Sequence, residues 1–587
     1  YGWLNNWITQ VTYTYLLLAP DADRAALEAK LPAFMERHLP ERAAHYHLYL
    51  QPFSDIYLGS SQLRFTRGLR LGNRTYVVAF SIVALLVLGI ACINFTNLAT
   101  ARALRRAREV GIRKTLGARP AQLTRQFLTE ALLMSVGATA LAVVVARGLL
   151  PAFRSVVDRP LQMDVFHDPI LQAGIVGMAL VTGILAGLYP AVVLARYRPT
   201  QALKGAVDTR HASTVRRGLV TVQFAAAIAL IAGTTIVYQQ VRYAQTKDLG
   251  FDAEQVVTLA ADGTAIPDQY AAFEEEALRH PGITHVAASE TTPGQGTQSF
   301  EIHPEGRSEE ANWQAHAIRL GDPEFLETYG IRLLAGRSFS AARGQDSLRA
   351  LVVNEALVRA IGWTPDEAVG RRMHIEGEVA NGRVIGVMEN FHLQSLRQAI
   401  EPVVMWMDDR RTTVSVRLAR AEALAAMDHL RQTWAQFEAA PFAYTFLSAS
   451  FARYVEEERR LMQLLGAFAG LALGVACLGL FGLAAYAAQR RQKEIGIRKA
   501  IGASMGSIVQ LLSREYLALV GIAFAVAAPV AYLAMEAWLQ HFAYRIDVTP
   551  SVLIGAGALT LLVALTTVGV QAVRAARTDP ARVLRSE

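Results

Sequence analysis

Apolar residues in this 587-residue chain gather in long unbroken runs separated by polar stretches. Seven runs reach the roughly 20 residues that a helix needs to cross a bilayer: about Tyr76–Ala99, Phe127–Leu149, Ile170–Leu194, Leu219–Tyr238, Leu461–Ala485, Leu511–Ala534 and Ser551–Val573. Between the fourth and the fifth, from about Arg242 to Arg460, the pattern shortens. Val256–Ala260, Ile283–Ser289, Ala350–Val353, Arg383–Met388, Val403–Met407 and Thr413–Leu418 read as strands, and Gln269–Arg279, Glu355–Ile361 and Ala421–Phe437 as helices. The pattern predicts an α-helical polytopic membrane protein with an ordered α+β domain outside the bilayer.

Charge fixes the orientation, because Lys and Arg are retained on the cytoplasmic side. The loop after the first run carries Arg102, Arg105, Arg106, Arg108, Arg113, Lys114 and Arg119, and the loop after the fifth carries Arg490, Arg491, Lys493, Arg498 and Lys499. The opposite loops hold only Arg154 and Arg159, or Arg545. The basic loops are therefore cytoplasmic, and the large polar region lies outside. Composition agrees: 52% hydrophobic and 18% charged residues are too apolar a mixture for an ordinary soluble chain. The net charge of +8 sits beside apolar runs rather than on a polar face, so no nucleic-acid partner is expected. Cys92 and Cys477 fall inside apolar runs, which argues against a disulfide or a thiolate metal site.

The chain also repeats itself. REVGIRKTLGA at Arg108–Ala118 recurs as KEIGIRKAIGA at Lys493–Ala503, and the same register pairs Cys92 with Cys477 and Glu130 with Glu515. A slightly shifted register pairs Pro199 and Leu203 with Pro580 and Leu584. VTYTYLLL at Val11–Leu18 resembles TTVSVRL at Thr412–Leu418, and Tyr57 and Tyr454 close comparable strand-like stretches. The resulting division is residues 1–75 as the remnant of a first outer domain, 76–205 as three spans, 206–241 as a linker and opening span, 242–460 as a complete outer domain, and 461–587 as three spans. By symmetry with the second copy, one further span, making eight, and most of another outer domain are expected before Tyr1. Parallel repeats of this kind pack about an axis along the membrane normal.

Each repeated motif encodes a short, stopped helix on the cytoplasmic side. Glu109 precedes Arg113 by one turn, as Glu494 precedes Arg498, the favourable order for an ion pair. Ile112 and Leu116 share a face, as do Ile497 and Ile501, while Gly117 and Gly502 stand where a left-handed cap ends the helix. A positive-inside loop needs Lys and Arg in any order, whereas a helix that docks into a groove on a partner needs fixed spacing.

These paired motifs, each between two spans, resemble the coupling-helix signature of FtsX-like permease domains. The outer domain resembles the MacB-type periplasmic core in VVNEALVRAIGW at Val352–Trp363 and ENFHLQSLRQAIEPVV at Glu389–Val404. The resemblance implies an inner-membrane ABC transporter permease whose coupling residues are Glu109, Gly111, Ile112, Arg113, Lys114, Gly117, Glu494, Gly496, Ile497, Arg498, Lys499 and Gly502. It implies a partner ATPase, acting as a dimer, which binds the ATP and Mg²⁺. The expected activity is export of an amphiphile, such as a macrolide, peptide or lipid-linked molecule, with a periplasmic adaptor or outer-membrane component as a further partner. The competing reading is a mechanotransmitter that regulates an envelope hydrolase without transport.

No G-x-x-x-x-G-K-[ST] stretch occurs, so ATP is expected to be handled by a separate chain. Glu130 and Glu515 lie near the inner entrance of a span, where a carboxylate is costly unless paired, and each is expected to pair with the adjacent basic cluster. Asn94, Thr96 and Asn97 are expected to hydrogen-bond between helices, Gly470, Gly474, Gly479 and Gly482 to permit close helix packing, and Pro529 to kink its span. His45 with His47 has no third donor and His392 no nucleophile beside it, so neither a metal nor a catalytic site is expected.

Overall fold

A computed structural model describes residues 13–40, 47–60, 71–72, 74–105, 107–157, 160–196, 210–295, 297–307, 313–340, 349–393, 398–490 and 492–576. Arg106, Arg159, Arg491, the Pro199/Leu203 and Pro580/Leu584 pairs, and His45 lie outside the described residues. The chain divides into two units, 1–81 and 82–587.

In the first unit the described residues form short helices, Arg24–Glu28, Leu31–His38 and Ile56–Gly59. Asp23 caps the first by accepting from the Ala25 N–H at 2.9 Å. The described part of the stretch that resembles Thr412–Leu418 is not a strand. In the second copy that segment is held on both sides by neighbouring strands. Among the described residues of the first unit no strand exists to complete such a ladder. Tyr57 and Tyr454 are helical, so neither closes a strand: in the second copy the strand before the span ends at Phe446, and among the described residues of the first unit there is none.

The apolar runs form long helices. In chain order these are α1 (Arg74–Arg105), the short α2 (Ala107–Thr115), α3 (Pro120–Val157), α4 (Pro169–Arg196), α5 (Arg210–Thr246), α6 (Leu447–Arg490), the short α7 (Gln492–Ala500), α8 (Met505–Leu539) and α9 (Pro550–Ala576). Seven of them are long and apolar enough to cross a membrane. α5 is the hub of the second repeat: 50% of its most apolar stretch is buried, against 11% in α1. Val220, Phe224, Ile228 and Ala232 of α5 pack with Leu480, Val520, Ala523, Ala556 and Val568 from α6, α8 and α9. α8 remains helical through Pro529, which faces outward.

The two halves meet at equivalent residues. Asn94 of α1 stands against Gly479 of α6, its repeat counterpart, and a Cβ on that glycine would collide with the Asn94 side-chain oxygen. Asn94 Nδ2 donates to the Val475 carbonyl at 3.5 Å, and Thr96 Oγ1 to the Ala186 carbonyl of α4 at 3.2 Å. Gly482 likewise abuts Leu98, but among the described residues Gly470 and Gly474 touch nothing that a methyl group would meet, contrary to expectation.

Among the described residues, the polar domain is built on one eleven-stranded sheet. Its strands are β1 (Val256–Ala260), β2 (Ile283–Ser289), β3 (Ser299–Pro304), β4 (Trp313–Leu320), β5 (Leu333–Gly336), β6 (Ala350–Asn354), β7 (Arg372–Ile375), β8 (Val379–Met388), β9 (Val403–Met407), β10 (Thr413–Leu418) and β11 (Tyr444–Phe446). β11, β1, β10 and β2 form an antiparallel lobe covered by helices Tyr270–Ala277 and Ala423–Phe437. β4, β3, β7, β8, β6 and β9 close on themselves through the parallel pairing of β9 with β4. Closure leaves no free edge in that ring, and its apolar side buries Ile302, Ala317, Leu351, Val353, Ile375, Val387 and Val404.

The ladder joining the lobes contains a single pair, Ser289 with Leu320. Beside it Arg319 is 2% exposed. Its guanidinium reaches Glu290 at 2.5 Å, Glu378 at 2.6 Å and Asp408 at 3.6 Å. The Phe300 and Trp406 rings lie against it at 5.0 and 5.4 Å. Burial works against its charge, but the hydrogen bonds and charges of Glu378 and Glu290 outweigh burial and hold it protonated.

Candidate functional site

The repeated motifs form two matching devices at one end of the spans. α6 runs from the polar domain to the far end, where α7 follows. Arg460, near the domain end of α6, donates to the Val157 carbonyl that ends α3, at 3.1 Å. The other end of α3, and α2 before it, therefore lies on the same side as α7.

Both short helices end in the same cap. Gly117 and Gly502 take φ of 95° and 94°, values that side-chain-bearing residues rarely adopt. The Gly117 and Ala118 N–H groups donate to the Lys114 and Arg113 carbonyls at 3.1 and 3.0 Å, and Gly502 and Ala503 to Lys499 and Arg498 at 3.0 and 2.9 Å, the paired bonds of a Schellman ending. Glu109–Arg113 and Glu494–Arg498 are ion pairs of 2.8 Å in both copies. Val110 is buried against Leu123, and Ile495 and Ile508 occupy the equivalent buried places. Gly111 sits within α2, and its counterpart Gly496 is buried in α7.

With Val110 and Ile495 facing inward, the other apolar pair faces out. Ile112 and Ile497 are exposed, and Leu116 and Ile501 are 82% and 81% exposed. Beside the first pair an open depression of about 440 Å³ is lined by Arg113, Leu116, Gly117, Ala118, Gln122, Leu123 and Gln126. Arg113 donates to Gln126 Oε1 at 3.0 Å, and Gln126 Nε2 to Glu130 at 3.3 Å, so Glu130 is linked to the basic helix through an amide. Among the described side chains, Glu515 instead binds Arg217 of α5 at 2.9 Å. The repeat puts Leu511 where the first copy has Gln126, so that relay has no counterpart.

At the opposite end the polar domain is fastened to the spans by a second contact besides its chain connections. Gln240 of α5, buried, donates to the Tyr544 carbonyl at 2.9 Å and accepts from the Ile546 N–H at 3.0 Å, both in the loop between α8 and α9. The Tyr544 ring is met edge-on by His392 at 4.9 Å and lies under Lys247 Nζ at 4.5 Å.

Residues 81–199 and 466–580 each match the FtsX-like permease C-terminal family, and residues 220–433 match the MacB-like periplasmic core domain. The chain is an FtsX-like permease of the MacB type. Among its relatives, the macrolide export ATP-binding/permease protein MacB of Syntrophobacter fumaroxidans is 31% identical over 22% of this chain and 17% of its own length. The pyoverdine export ATP-binding/permease protein PvdT of Pseudomonas savastanoi pv. phaseolicola is 40% identical over 21% and 17%. The aligned part thus spans about a sixth of those relatives. The periplasmic region of MacB from Actinobacillus actinomycetemcomitans covers 36% of this chain and 97% of its own, at 13% identity and a TM-score of 0.26.

The permease is a multi-pass membrane protein with a periplasmic domain. Its two signature strings there interlock. Asn354 Oδ1 caps helix Glu355–Ile361 by accepting from the Leu357 N–H at 3.0 Å, and also accepts from the Val403 N–H at 2.9 Å. Asn390 accepts from the Ala356 N–H at 2.8 Å and donates to Glu355 at 2.9 Å. Asn390 is thus a folding residue, and its neighbour His392 reaches the membrane side. Sequence reasoning missed Gln240, Tyr544, Val110 and Gln126, because a buried amide and a loop ring carry no periodic signal. Only Val110 could have been found, as the apolar residue conserved in type between the two copies.

The joint is expected to depend on pH. Burial, reinforced by Lys247, lowers the His392 pKa from 6.5 to about 4. A depressed histidine stabilises the fold fully above its unfolded value and loses that contribution as pH falls from 6.5 towards 4. Amide exchange at 544–546 is therefore expected to quicken on acidification through that window, and a His392→Asn permease to lose the dependence. Identical pH profiles for the two proteins would exclude His392 as the source.

Proposed function

We propose that this permease is the membrane subunit of an ABC transporter of the inner membrane. A separate ATPase, which binds the ATP and Mg²⁺, docks as a dimer on α2 and α7. The carrying observation is the pair of capped helices, alike in bond and burial, each presenting an exposed isoleucine–leucine or isoleucine–isoleucine face on the side away from the periplasmic domain. Two equal docking faces in one chain suit a two-fold ATPase dimer.

Closure of that dimer moves α2 and α7. Val110 passes the movement to Leu123 of α3, and Ile495 passes it to the bundle around α5. α5 and α6 continue into the periplasmic domain, so the outcome is a movement of that domain relative to the membrane. The exported substrate is an amphiphile of the macrolide, peptide or lipid-linked class, and a periplasmic adaptor or outer-membrane component receives it. Relatives named as macrolide and pyoverdine exporters support this reading.

Co-purification with the candidate ATPase, then ATP hydrolysis in lipid nanodiscs with and without amphiphiles, tests it. Stimulation of several fold by a small amphiphile is expected. A stable complex that responds only to an envelope protein would establish the mechanotransmitter instead, and failure to form a complex would remove the ATPase-coupled reading altogether.

A further inference from the structure

We propose that the outer face of the β3–β7 pair is a binding site for one divalent transition-metal ion of the zinc class, held by Glu301, His303 and Glu376. The sequence offered no such site, because its donors lie about seventy residues apart and come together only through strand pairing.

The register sets Ile302 opposite Ile375 and His303 opposite His374, while the Glu376 N–H donates to the Glu301 carbonyl at 3.0 Å. Side chains alternate across a strand. With Ile302 and Ile375 buried in the ring, Glu301, His303, His374 and Glu376 share the opposite face. One ligand atom from each of Glu301, His303 and Glu376 lies within 4.8 Å of the others. His303 Nε2 stands 3.8 Å from Glu376 Oε2, and the His303 and His374 rings stack with centroids 5.7 Å apart and planes at 27°.

Two carboxylates directly opposed on neighbouring strands repel. One dication between them draws both together, and the imidazole beside them supplies a nitrogen donor. Mixed imidazole and carboxylate donors suit zinc, copper or nickel, whereas calcium and magnesium take oxygen alone. The donors sit on a closed ring of strands, so ligand spacing is set by the ladder rather than by a loop.

The test titrates EDTA-treated full-length permease in nanodiscs with ZnCl₂ against a chromophoric chelator. One Zn²⁺ per chain is expected, with affinity reduced at least about tenfold in His303→Ala and in Glu376→Gln. Zn²⁺ should also raise the melting temperature of the wild type and not of His303→Ala. Because the altered side chains lie on the face of the ring away from its core, both variants are expected to fold. Should either misfold, Glu301→Gln provides the same comparison. Equal Zn²⁺ binding by wild type and folded variants, or none by the wild type, would overturn the site. This outcome is independent of whether the ATPase docks.

Discussion

Permease carrying Leu116→Asp and Ile501→Asp is expected to lose its ATPase during purification while melting within about 1 °C of the wild type. Both side chains are more than four-fifths exposed and follow directly on the capped helices. Removing them deletes no internal packing, and surface changes of this kind typically shift stability by no more than about 0.5 kcal/mol. In a docked complex each would bury an aliphatic side chain worth about 1.5–3 kcal/mol, so the pair weakens binding by several hundredfold or more. Glu109→Arg with Glu494→Arg probes the same surface differently. The ion pairs broken are half-exposed and contribute only about 0.3–0.5 kcal/mol each, yet the one negative charge of each helix becomes positive, so docking is expected to be lost without unfolding. Normal recovery of the ATPase with the Asp variant would sink the docking assignment.

Arg319→Met is expected to lower the melting temperature of the periplasmic domain by about 10 °C. The guanidinium is the one group that answers Glu290, Glu378 and Asp408 together at the seam between the two lobes, with Arg410 adding a contact to Glu290 at 3.1 Å. Breaking a buried pair by removing one partner costs about 3–5 kcal/mol, because the remaining charges are left uncompensated. The carboxylates here keep some solvent access, which places the effect at the lower end. Because one residue pair makes the entire β2–β4 ladder, loss of the network should also admit trypsin between the lobes. Differential scanning of the full-length variant, followed by limited proteolysis, measures both. A shift below 2 °C would show that the seam is held by packing alone.

The spans, the repeat and the position of the polar domain were legible in the sequence because each follows from local pattern. Twenty apolar residues in lipid must become a helix, since no other backbone arrangement satisfies its own hydrogen bonds there. The outer-domain strands with strong β-branched content, such as Val403–Met407 and Thr413–Leu418, emerged with the boundaries expected. β3, β4, β5, β7 and β11 did not. Ser299–Pro304 and Arg372–Ile375 carry polar residues at half their positions, and their strand state comes from neighbours across a closed ring.

Within the candidate site, the sequence by itself determined the helix length, the glycine stop and the glutamate–arginine spacing, all of which are contacts within four residues. Only the tertiary structure decided which apolar face turns inward. Ile112 and Leu116 could as well have packed on α3, but Val110 took the place against Leu123. It also decided that Glu515 reaches Arg217, that Asn94 meets Gly479, and that Glu301, His303 and Glu376 come together on one face of the ring. The division has one physical cause. Periodicity encodes what a segment does with its own backbone, whereas burial and pairing between distant segments depend on how the whole chain closes.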